Sequence, residues 1–150
     1  MSIIVRLQNE IFNPGLESNA FLKDETQAGA AVTFTGIVRS NAKAPITSLT
    51  LEHYPALAQA QLEDFAAKSS ARFNLQKVCV IHRYGKMLPG EPIVQVMTLA
   101  PHRRAAFEGA EFIMDFLKTS APFWKKETGL NGEVWVQAKT HDDDAMDRWS

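Results

Sequence analysis

Between residues 101 and 126 five lysines or arginines stand against three acids, and the bases gather at the two ends of one segment. His102, Arg103 and Arg104 follow Pro101, Lys118 comes fifteen residues after Arg103, and Lys125-Lys126 follow the aromatic pair Phe123-Trp124. A lysine at a helix C-terminus complements the macrodipole, which would make Lys118 an ordinary surface residue. Arginines in a first helical turn oppose the dipole unless an anion sits beside them, so their position points to an anionic ligand. If the chain turns back at Pro122, Lys118 and Lys125 enter one pocket. Two ammonium groups held there repel, which eases transfer of a proton, and together they stabilise negative charge developing on a phosphate or an acyl sulfur. The same spacing also suits two exposed, independent lysines. Arg39, at a strand end followed by a loop, is a third candidate cation, in a place that equally suits a surface arginine. Phe34, Phe123 and Trp124 are of a type that walls a heterocycle or fills a core.

Geometry sharpens the anion hypothesis. Arg103 and Lys118 on one helix are about 22 Å apart along its axis, too far to hold one small ligand. If both serve the same substrate, the helix start must come from one subunit and the helix end from another, which predicts a homodimer with shared sites.

The elements that must position these residues can be read from periodicity. Ile3, Val5 and Leu7 alternate as in a strand, Asn13-Pro14-Gly15 makes a turn, and Leu16 to Leu22 is helix-like. Val32 and Phe34 alternate with Thr33 and Thr35 toward a bulge at Gly36. Leu49, Leu51 and His53 share a strand face, and Pro55 opens a helix to about Arg72 with Leu62, Phe65, Ala66 and Phe73 inward. Residues 78–81 and 93–97 form short β-branched runs that read as an antiparallel pair. Pro101 opens a second long helix with Ala106, Ala110, Ile113 and Leu117 as its core stripe, supported by Phe107 and Met114, and it stops near Ser120. Gly129 and Gly132 bracket a turn before a last strand, Val134 to Val136. Paired strands with two long helices and no regular βαβ alternation predict an α+β fold, read as one domain over 1–150. The acidic tail, with Asp142, Asp143, Asp144 and Asp147 beside Trp149, reads as solvated.

Composition sets the outer bounds. A chain of 150 residues, 45% apolar, holds its own core without staples. A net charge of −1 argues against a general nucleic-acid binder. Residues 1–8 lack the apolar core of a secretory signal and no run is long enough to span a membrane, so with a single cysteine the expected setting is cytoplasmic. Walker A, G-x-G-x-x-G, G-x-S-x-G and H-E-x-x-H patterns are missing, and His53, His82, His102 and His141 have no ligand spacing. No metal and no cofactor is expected. Cys79 reads as core, not as a nucleophile.

These residues carry a resemblance. The segments Val32–Arg39, Leu51–Pro55, Ile81–Gly85, His102-Arg103 with Ala106-Phe107, and Phe112–Lys118 through Ala121–Lys125, in that order, make the chain similar to the large, catalytic subunits of molybdopterin synthase. The resemblance implies an α/β hammerhead fold with an additional antiparallel β subdomain. It implies a homodimer within a heterotetramer, with a small ubiquitin-like sulfur-carrier subunit at each end. That partner's C-terminal Gly-Gly thiocarboxylate would donate sulfur to cyclic pyranopterin monophosphate, and two transfers would form the dithiolene of molybdopterin. A thiol arriving on a partner accounts for the lack of a nucleophilic cysteine. By the same resemblance Lys118 and Lys125 are the catalytic lysines, and Arg39, His102 and Arg103 bind substrate. Ile37, Val38, Lys126 and Glu127 complete the contact stretches. Many members carry lysine where this chain has Ile37, so a contact there runs through backbone or is lost.

Overall fold

The computed structural model describes residues 2–119, 123–130, 132–136, 147 and 149. Ser120, Pro122, His141 and Asp142 to Asp144, which figured in the sequence reading, lie outside the described residues. The elements run β1 (Ser2–Gln8), α1 (Pro14–Leu22), β2 (Ala30–Ile37), β3 (Ile46–His53), α2 (Pro55–Phe73), β4 (Lys77–Arg83), β5 (Gly85–Met87), β6 (Pro92–Ala100), α3 (Arg103–Thr119), β7 (Phe123–Gly129) and β8 (Gly132–Val136).

Two four-stranded sheets form. The first has the order β1-β4-β6-β2, the second β5-β3-β7-β8. In the first, β1 runs parallel to β4, while β4 with β6 and β6 with β2 are antiparallel. Its central strands are apolar on both sides because both sides are covered. Val78 and Val80 of β4 and Val94 and Val96 of β6 pack with Ala66 of α2 and Ala106, Ala110 and Ile113 of α3. The alternate residues Cys79, Ile81, Met97 and Leu99 pack on Phe12 and Phe21. Helices α2 and α3 touch closely at Gly109, where a side chain would stand 2.7 Å from Leu75 Cδ1 and where Ser69 Oγ donates to the Gly109 carbonyl at 2.9 Å.

The second sheet is antiparallel throughout. It is the additional β subdomain of the expected α+β architecture, and it closes on a small core of Val38, Leu49, Leu51 and Met87. Register shifts between Gly36 and Ile37, at the bulge the isolated glycine suggested.

Three expectations need correction. Phe123 to Gly129, to which the sequence pattern assigned no element, is strand β7, inserted between β3 and β8. Phe107 does not support the α3 core stripe, because it sits outside the arc of Ala106, Ala110 and Ile113 and is 61% exposed. Trp149 is not solvated tail. Its indole N–H donates to the Asp115 carboxylate, its carbonyl accepts from Arg72 Nη1 at 2.9 Å, and its ring meets Phe73 and Phe112 edge-on at 5.6 and 5.5 Å.

Candidate active site

The two sheets meet in a column of rings. Tyr84 stacks on His53 at 4.2 Å, His53 neighbours Phe123 at 5.9 Å, and Phe123 stacks on His82 at 4.1 Å with planes only 10° apart. His53 ends β3 and lies opposite Phe123 in the register of β3 and β7, whereas His82 belongs to β4 of the first sheet. His82 is 7% exposed, with Nδ1 2.8 Å from the Arg83 carbonyl. A carbonyl only accepts, so Nδ1 carries the proton. Burial pushes the His82 imidazole down to about 4; the Arg83 carbonyl opposes this, while the positive charges of Lys118, Lys125 and His53 add to it. His53 is lowered too, by burial.

Lys118 near the end of α3 and Lys125 in β7 both act on that one ring through their charge. Alternation along β7 puts Phe123, Lys125 and Glu127 on one face, with Lys125 opposite the buried Leu51 and Glu127 opposite Leu49. Lys126 points to the other face, where its Nζ is 3.5 Å from Glu133 Oε2 and 5.6 Å from the Trp135 ring centre. Lys118 is exposed and Lys125 half-buried.

Val38 sits in the core beneath β3, and its N–H and carbonyl bond to the Glu91 carbonyl at 2.9 Å and the Gly90 N–H at 2.8 Å. This pins the segment from which Ile37 and Arg39 both project into solvent. The clamp is held from below by Arg83. Its guanidinium, 5% exposed, donates to the carbonyls of Asn9 and Pro92 at 3.1 Å each and pairs with Glu91 at 3.5 Å.

His102 and Arg103 stand at the opposite end of α3. With Gly29, Pro101 and Arg104 they line a shallow open depression at the helix start. Gly29 is required there, since a Cβ would fall 2.1 Å from the Pro101 carbonyl oxygen. Arg104 is engaged by Glu108 one turn on, at 2.8 Å, whereas no ion pair is seen for His102 or Arg103 among the described residues. Within one copy of the chain these two residues therefore stand at the far end of α3 from Lys118. Among the described residues no group of three or more His, Cys, Asp or Glu is placed to hold a metal ion. Cys79 is buried, and burial pushes its thiol up to about 11, so it is no nucleophile at neutral pH.

Sequence reasoning gave no site role to His53, His82 or Tyr84. They lie in two of the segments that carried the resemblance, but nothing in their spacing shows that Phe123 stacks on His82.

The chain matches the family model described as MoaE protein over residues 7–120. The chain belongs to the MoaE family. A molybdopterin synthase catalytic subunit of Rhizobium meliloti (strain 1021) is 50% identical over 99% of this chain and 96% of that protein. A solved molybdopterin biosynthesis MoaE protein from Burkholderia ambifaria MC40-6 superposes with a TM-score of 0.83 at 41% identity, covering 98% of this chain and 97% of its own. The fold recurs in a protein–protein complex of subunits 1 and 2 of molybdopterin-converting factor from Helicobacter pylori 26695, with TM-score 0.76 at 21% identity over 90% of this chain and 91% of that one. Membership makes this MoaE-family chain an enzyme component of molybdenum cofactor biosynthesis.

Proposed function

We propose that this chain is the sulfur-transferring subunit of a molybdopterin synthase, working in the cytoplasm without metal or cofactor. The thiocarboxylated Gly-Gly terminus of a small ubiquitin-like partner enters beside Lys118 and Lys125, and its sulfur passes to cyclic pyranopterin monophosphate. Lys118 stabilises charge on the acyl sulfur and moves a proton, and Lys125 assists; Arg39, His102 and Arg103 hold the anionic substrate. The observation that carries this reading is the stack of Phe123, two residues before Lys125 on β7, on the buried His82 of the other sheet, whose ring feels the charges of Lys118 and Lys125, with Cys79 buried in the first sheet's core. The Helicobacter pylori protein that shares this fold was solved as a complex of subunits 1 and 2 of molybdopterin-converting factor, which is in keeping with a partner subunit. None of the described helices is long and apolar enough to cross a membrane.

The site is completed by a second copy, because His102 and Arg103 are at the wrong end of α3 to serve their own Lys118. Strand β2 is an edge of its sheet and exposes Phe34 and Ile37, as α3 exposes Phe107, which suits a further protein surface. Lys118→Ala should abolish conversion of the precursor by thiocarboxylated partner while leaving the fold intact; normal turnover would refute its role. Mixing inactive Lys118→Ala with inactive His102→Ala should restore roughly 25% of wild-type activity, since half the dimers are mixed and each has one intact site. No recovery after subunit exchange would show that the site is not shared.

A further inference from the structure

His82 belongs to the first sheet and Phe123 to the second, and forty-one residues separate them in sequence, yet their rings stack at 4.1 Å and 10°. Phe123 is two residues from Lys125 on the same face of β7, so whatever fixes the Phe123 ring fixes the strand from which Lys125 projects. His82 is itself fixed on its other side, by the Nδ1–H donated to the Arg83 carbonyl at 2.8 Å. Arg83 in turn is tied to Asn9, Glu91 and Pro92. The charges acting on the ring come from Lys118 of α3, Lys125 of β7 and His53 of β3.

Resting on the sulfur-transfer reading, we propose that His82 is a positioning residue of that site: its stack on Phe123 holds Lys125 in place. His82 touches no reacting atom. Its effect should therefore appear in kcat and in the state of Lys125, not in precursor binding.

The test uses the full chain with its thiocarboxylated partner. His82→Ala should lower kcat by about tenfold or more with KM for the pyranopterin precursor within about threefold, because a misplaced group costs the transition state more than the ground state. His82→Phe, which restores an uncharged stacking ring, should recover kcat to within about threefold of wild type. Acylation of Lys125 by an N-hydroxysuccinimide ester, followed by mass spectrometry, should change severalfold in His82→Ala and return in His82→Phe. Unchanged Lys125 labelling in His82→Ala, or a kcat loss that His82→Phe does not repair, would overturn the proposal. Should His82→Ala fail to fold, Phe123→Leu removes the stack from the other side and must give the same kcat loss and labelling change; wild-type behaviour there overturns it equally. Wild-type chain that transfers no sulfur would sink the reading of function, while the labelling, which needs no sulfur donor, still decides the role of His82.

Discussion

Acidification should weaken this protein at His82, and the amount can be worked out. His82 titrates near 6.5 in an unfolded chain and is held down to about 4 in the folded one, first by burial. Between those values the unfolded chain binds a proton that the folded chain refuses, so stability rises with pH across the window. The contribution is fully present above pH 6.5 and is lost as pH falls toward 4. The displacement corresponds to about 3 kcal/mol in all, of which about 2 kcal/mol is gone at pH ~5. For a chain of this size that is a fall in Tm of about 4–8 °C. Carboxylates titrate in part of the same range, and His53, lowered by burial, contributes with the same sign. The comparison with His82→Phe isolates the single group. Urea denaturation of both proteins at pH ~7 and pH ~5 should show the variant losing about 2 kcal/mol less than wild type on acidification. Equal losses would refute the burial of a neutral imidazole at this position.

Three other outcomes follow from the same geometry. Cys79 in the native protein should resist iodoacetamide at neutral pH and react once urea unfolds the chain, since a thiol at about 11 is ionised to only about one part in ten thousand; Cys79→Ala should retain sulfur transfer. Gly29→Ala drives a methyl against the Pro101 carbonyl, so the start of α3 must shift, at about 1–3 kcal/mol by thermal melting, with weaker precursor binding at His102 and Arg103. Trp149→Ala should cost about 1–3 kcal/mol and remove a near-ultraviolet dichroism signal, because its ring is held by Phe73, Phe112, Arg72 and Asp115.

Local pattern was sufficient wherever one element buries one face. The stripe Ala106, Ala110 and Ile113 made α3 legible, Pro55 marked the start of α2, and the β-branched runs of β4 and β6 announced an antiparallel pair, since periods of 3.6 and 2 follow from backbone geometry alone. The misfit of Arg103 and Arg104 with the helix dipole, and the distance from them to Lys118, were equally present in the sequence, as was the set of segments that marked the family. Strand β7 was not legible. Phe-Trp-Lys-Lys-Glu-Thr-Gly does not alternate, and it is a strand because β3 on one side and β8 on the other satisfy its backbone hydrogen bonds. Nor did any spacing foretell that Trp149 docks on α2 and α3. The neutrality of His82 is likewise a product of tertiary structure: its titration depends on the water removed and the charges brought near it, and those come from α3, β3 and β7, which meet only when both sheets have folded.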